Sequence, residues 1–120
     1  MRDALLLIGH GSKDPRADDV LPYYVEQLSR SGRFSTVQAC YLEKSPSIQE
    51  AVQAITADRV FVMPLLLAHG YHTRVTIPDE LGIKASGDVV DGKEIILLEP
   101  FGRSEHIVRL IEGRIEPFKI

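Results

Sequence analysis

Cysteine is almost absent from this chain of 120 residues; Cys40 stands alone. One thiol forms no internal disulfide and builds no cysteine zinc site, which fits a reducing cytosol. Basic residues are not in excess either. Lys and Arg total 14 against 17 Asp and Glu, for a net charge of −3, which argues against nucleic acid as a partner. The N-terminal apolar run is too short for a membrane span or a signal-peptide core, and Asp3 interrupts the approach to it. Internal repeats, low-complexity tracts and linkers are missing. So are a G-x-x-x-x-G-K-[ST] phosphate loop and a G-x-S-x-G nucleophile elbow, although Ser12 adjoins a histidine motif. At Gly9-His10-Gly11, Asp14 takes the place of the third glycine of a dinucleotide fingerprint. One cytoplasmic domain over residues 1–120 is expected, and so short an α/β chain makes a self-paired assembly plausible.

Against these absences stand two histidines that follow apolar runs. The first lies in Leu5-Leu6-Leu7-Ile8-Gly9-His10-Gly11-Ser12. The second run is Val60-Phe61-Val62-Met63-Pro64-Leu65-Leu66-Leu67-Ala68, and it leads into His69-Gly70-Tyr71-His72-Thr73. Continuous runs rich in Val, Ile and Leu read as strands buried on both faces. Residues just past the carboxyl end of such strands lie on the rim where open α/β sheets bind ligands. Two imidazoles on one rim point to a metal or proton-transfer site, since neutral imidazole binds a divalent cation or accepts a proton. His10 alone also reads as a turn histidine bonded locally, and His69 as a loop residue only. His106 is expected on a solvated helix face.

Strands and helices alternate along the chain. Strands are expected over about Ala4–Gly9, Thr36–Leu42, Arg59–Leu66 and Glu94–Leu98. A first helix should begin near Asp18 or Asp19 and end near Gly32, with its start blurred by Pro22. Ser47 and Glu50 have capping-box spacing, and Ile48, Ala51, Val52 and Ile55 form a core-facing stripe behind them. A short helix should follow His72 and stop at Gly82. Lys84 to Lys93 reads as a surface loop. Ser104 caps a last helix on which Ile107, Ile111 and Ile115 share a face. The pattern implies an α/β fold: a parallel sheet in the order 2-1-3-4, with helices on both faces. In that order the loops carrying His10 and His72 meet at the switch point.

Each expected carboxyl-end loop carries a cation: Lys13 and Arg16, then Lys44, Arg74 and Arg103. Loops are generally charged, which accounts for part of this pattern. The functional reading is an anionic ligand held over the rim. Glu99 either lines the same crevice or accepts hydrogen bonds structurally.

At these residues the chain resembles the small class II sirohydrochlorin chelatases, half-length relatives of the cobalt-inserting enzymes of cobalamin synthesis. Gly9-His10-Gly11-Ser12 is similar to their opening motif. Pro64 to Thr73 with Ile77-Pro78 is similar to their second, and Glu99-Pro100-Phe101-Gly102 to the segment after their last strand. The resemblance implies a flavodoxin-like, chelatase-like sheet and a symmetric homodimer. It also implies insertion of a divalent metal into sirohydrochlorin, a carboxylate-rich macrocycle: Co²⁺ first, Ni²⁺ next, Fe²⁺ third. The metal is then substrate, and no cofactor is permanently bound. His10 and His72 inherit the catalytic and metal-handling roles. Ser12, Lys13, Arg16, Lys44, Leu67, Ala68, His69, Gly70, Tyr71, Arg74, Glu99 and Arg103 are assigned to the macrocycle. Thr76 departs from the acidic residue usual before the Ile-Pro pair. Either that acid caps the short helix, and threonine replaces it, or it orients the second histidine, whose tuning then changes. Two other readings use the same residues: a non-enzymatic cobalt or nickel carrier, and a module binding a phosphorylated ligand on the glycine turns.

Overall fold

The computed structural model describes residues 2–84 and 86–118; residues 1, 85, 119 and 120 of the expected domain lie outside the described residues. The chain runs β1 (Asp3–Gly9), α1 (Leu21–Ser29), β2 (Thr36–Tyr41), α2 (Ile48–Ala54) and β3 (Arg59–Pro64). A π-helical turn (His72–Thr76) then leads directly into α3 (Ile77–Leu81), followed by β4 (Gly87–Val90), β5 (Lys93–Leu97) and α4 (Glu105–Ile115). The sheet order is β2-β1-β3-β5-β4. β2, β1, β3 and β5 are parallel neighbours, in the order expected for four strands.

The period-two geometry of β1 divides the core. Ala4, Leu6 and Ile8 face α2 and α3, where Cys40, Ile48, Val60, Val62, Ile77 and Ile95 close a fully buried cluster. Leu5 and Leu7 face the other way, toward Leu21, Val25 and Leu28 of α1. The burial of Cys40 pushes its thiol up to about 12, so it behaves as a small apolar side chain. α2 starts where its capping box says. The Ser47 hydroxyl accepts from the Glu50 N–H (3.2 Å), and the Glu50 carboxylate accepts from the Ser47 N–H (3.0 Å). Ser47→Ala should cost about 1 kcal/mol, read as a lowered urea midpoint with unchanged slope.

Two expectations need correction. The segment read as a surface loop contains β4, an antiparallel edge strand paired with β5 through Val90↔Lys93. Asp91 and Gly92, with φ of 51° and 77°, form the two-residue turn between them, so the sheet is not wholly parallel. α1 begins at Leu21 rather than Asp18 or Asp19. The Asp19 carboxylate instead accepts from the Leu21 N–H (3.1 Å), ahead of Pro22 in the first turn. α4 is capped by Ser104 as expected; it buries no residue, and Val108, Leu110, Ile111 and Ile115 are exposed.

Candidate active site

The loops after β1 and β3 bring the two histidines together. The His10 and His72 rings are edge-on, with centroids 5.8 Å apart. His10 stands on a sharp bend. Gly11 has φ +78°, and a Cβ there would lie 2.9 Å from Tyr41 Cβ, so the turn passes closer to β2 than any side chain allows. Beyond the strands the β1–β2 pairing continues. The Leu42 N–H donates to the Gly9 carbonyl and the Glu43 N–H to the His10 carbonyl, both at 3.0 Å. This extension sets the Glu43 carboxylate 3.4 Å from His10 Nδ1. Glu43 is thus a site residue that the sequence reading missed. Its signal is register: in the β1–β2 pairing Gly9 faces Tyr41, which puts the residues just past both strands side by side.

His72 opens the π-helical turn, a wider coil often found at functional sites. Its Nδ1 lies 3.2 Å from Thr76 Oγ1, and the Thr76 side chain makes no helix-capping bond. Of the two possible roles for position 76, the contact made is the one to the histidine. Thr73 is buried, with its hydroxyl accepting from the Gly70 N–H (2.9 Å) and donating to the Gly70 carbonyl (3.2 Å). His69 is anchored at both nitrogens, by Thr73 Oγ1 at 3.0 Å and by the Glu99 carboxylate. This contact ties the loop after β3 to the segment after β5, and Glu99 serves in it as an acceptor.

The remaining residues fall into separate groups. Ser12, Lys13 and Lys44 line a cavity of about 540 Å³ together with His10. The Ser12 hydroxyl accepts from the Asp14 N–H (3.1 Å), and Arg16 is clamped by the Asp14 carboxylate (2.8 Å). Lys44 Nζ lies 4.4 Å from the Tyr41 ring centroid and 3.4 Å from Asp19. Arg74 shares a cavity of about 270 Å³ with His69 and Glu99. Arg103 lies apart, at the start of α4. Leu67 and Tyr71 are 65% and 72% exposed on the rim between these groups, and Ala68 and Gly70 are exposed with them. Among the described residues no three His, Cys, Asp or Glu side chains cluster closely enough to hold a metal ion.

Asp19 closes the floor of the first cavity by accepting from the Tyr41 hydroxyl at 2.5 Å. That bond holds the Asp19 carboxyl below the usual carboxylate range, with the Leu21 N–H and Lys44 adding to it. Burial, then Asp19, pushes the Tyr41 hydroxyl up to about 12. A carboxyl depressed in the folded state contributes stability above its unfolded value, and this is lost as pH falls through the folded one. Asp19→Asn should therefore flatten the loss of stability on acidification, seen in urea unfolding from pH 6 to pH 3.

The family model CbiX matches residues 4–117. The chain belongs to the CbiX family. CbiX relatives of similar length include the sirohydrochlorin cobaltochelatase of Methanopyrus kandleri, 31% identical over 94% of both chains. That of Saccharolobus islandicus is 37% identical over 92% of this chain and 91% of its own. Among solved structures, SirB from Bacillus subtilis with Fe³⁺ superposes with a TM-score of 0.84 at 26% identity. That match covers 100% of this chain and 48% of SirB, so this CbiX chain spans about half of that protein.

Proposed function

We propose that this chain is a sirohydrochlorin cobaltochelatase, which inserts Co²⁺ into sirohydrochlorin with release of two protons. The observation that carries this reading is the pair of imidazoles, His10 and His72, facing each other over the rim of the sheet. Metallation needs two pyrrole protons removed while a divalent cation sheds its water. Neutral imidazole serves either need. Glu43, beside His10, supplies a carboxylate that steadies the imidazolium once a proton is taken, or adds an oxygen ligand to an arriving cation. The metal is substrate: Co²⁺ first, with Ni²⁺ and then Fe²⁺ as alternatives, since all three accept nitrogen ligands. Lys13, Lys44 and Arg74 hold the carboxylates of the macrocycle, with Arg16 and Arg103 farther out. His69 and Glu99 shape the rim, and Ser12, Leu67, Ala68, Gly70 and Tyr71 line the approach. Two identical chains make the working unit, in the cytoplasm.

The test is anaerobic incubation with sirohydrochlorin and each divalent metal, following the absorbance change of metallation. Catalysed insertion of Co²⁺ is expected. A tight stoichiometric metal complex without turnover would identify a carrier instead, and metal-independent binding of phosphate esters a ligand-binding module. Arg74→Ala should raise KM about tenfold with little change in kcat, the loss of one charged contact of roughly 1.4 kcal/mol.

A further inference from the structure

The loop that delivers His72 is held by polar bonds. Leu67 to Tyr71 are all exposed, so little apolar burial fixes them. Two residues on, Thr73 is the one buried polar side chain among the described residues. Its hydroxyl binds back to the N–H and the carbonyl of Gly70, and the Arg74 N–H donates to the same carbonyl (3.1 Å). His69 ties this knot to the segment after β5, with Nδ1 3.0 Å from Thr73 Oγ1 and Nε2 on the Glu99 carboxylate. Glu99 reaches across from a fixed base. On either side of it the Leu98 N–H donates to the Val62 carbonyl (2.8 Å), the Phe101 N–H to that of Leu66 (3.0 Å) and the Gly102 N–H to that of Leu67 (2.7 Å).

The hydrogen-bond capacities of these groups limit what they can do. A carboxylate has no proton to give, so Nε2 of His69 carries the proton of its contact with Glu99. Nδ1 is engaged with the Thr73 hydroxyl. Both ring nitrogens are thereby spent, and His69 keeps no lone pair for a cation although it stands three residues before His72. Glu99 is equally ill-suited to hold the substrate. It lies in the cavity of Arg74, which the chelatase reading gives to a carboxylate of the macrocycle. A second carboxylate there opposes such a ligand by like charge, so its place calls for a partner within the chain. His69 is that partner.

We propose that Glu99 and His69 are positioning residues, which act through Thr73 to set His72 across from His10; their part in metal insertion rests on the chelatase reading above. Thr73 adjoins His72 in the π-helical turn. A brace on the buried Thr73 hydroxyl therefore fixes the backbone from which the His72 ring projects, and with it the 5.8 Å between the two rings. The two loops differ in their need for it. The His10 turn is wedged against Tyr41 at Gly11, whereas a Cβ on Gly70 would meet nothing within 4 Å. Where packing leaves a loop open, side-chain bonds must set it. A reacting group misplaced by about 1 Å can lose about 10²-fold in rate, so the brace bears on turnover more than on binding.

The experiment compares Glu99→Ala, Glu99→Gln, His69→Ala and the double alanine variant in the full chain, by two readouts. Glu99 is 81% exposed, so its truncation leaves the core untouched; circular dichroism follows the fold. The first readout is the imidazole resonances of protein labelled with ¹⁵N-histidine, free of metal and macrocycle, in which four histidines give four rings. Glu99→Ala should move the signals of His72 together with those of His69, and leave His106 in place. His72 signals that stay put overturn the proposal whatever the activity. The second readout is Co²⁺ insertion. Glu99→Ala and His69→Ala should each lower kcat roughly tenfold with KM for sirohydrochlorin little changed. The double variant should be no slower than either single one, since a brace cut once or twice is equally lost. Losses that multiply give the two residues separate tasks and overturn the proposal, as does a rise in KM alone. Glu99→Gln should recover most of the rate, because its amide oxygen still accepts from Nε2; a glutamine variant as slow as the alanine one also overturns it. If the unaltered protein inserts no Co²⁺, the chelatase reading falls and the ring signals still decide the brace.

Discussion

His72→Ala lowers kcat for Co²⁺ insertion by about 10²–10⁴-fold, the range that a positioned acid–base group contributes. Stability should hardly change, because the ring is only half-buried and its one side-chain hydrogen bond is to Thr76. Single-turnover absorbance with excess enzyme separates this loss from weaker binding, and an unchanged rate would remove His72 from the chemistry. Thr76 allows a finer measurement. A carboxylate at that place would fix the proton on Nδ1 and make the ring more basic. A hydroxyl both donates and accepts, so it orients the ring without committing its proton. Thr76→Val keeps the shape and deletes the hydroxyl. It should lower kcat roughly tenfold, whereas a threonine that served only to start α3 would leave kcat where it is.

What the sequence disclosed was mostly local. The continuous apolar run Leu5-Leu6-Leu7-Ile8 and the Ser47–Glu50 box act within a few residues, and both elements formed where that chemistry required. The meeting of His10 and His72 followed from one topological rule, the switch point between β1 and β3. Glu43 escaped notice because its place depends on the register of two strands about thirty residues apart, which no single segment encodes. β4 escaped for a different reason. Val89-Val90 and the Asp91-Gly92 turn carry a hairpin signal, but the glycines and charges around them outweighed four residues of strand. The apolar stripe of α4 was legible as a stripe. What it packs against was not, since its amphipathic pattern records that a face is to be buried and not which surface buries it.

Gly11→Ala should be the most damaging single methyl in the chain. Two costs add. An alanine at φ +78° is strained by about 1–2 kcal/mol. Its Cβ also meets Tyr41 Cβ at 2.9 Å and Lys44 Cγ at 3.1 Å. Lys44 can move aside. Tyr41 cannot, because its ring is buried, its hydroxyl is held by Asp19, and its backbone lies in β2 opposite Gly9. Overpacking of this kind costs about 1–3 kcal/mol. Together these should lower Tm by roughly 10 °C in a domain of this size. The turn that yields carries His10, so metal insertion should fall even at temperatures where the variant is folded. Gly70→Ala is the control: it sits in the other histidine loop, and its added Cβ meets nothing within 4 Å. If both variants melt together, the tight passage of the His10 turn against β2 is not what fixes that loop. If only Gly11→Ala falls, the close approach of the two backbones is the element that holds His10 beside Glu43 and across from His72.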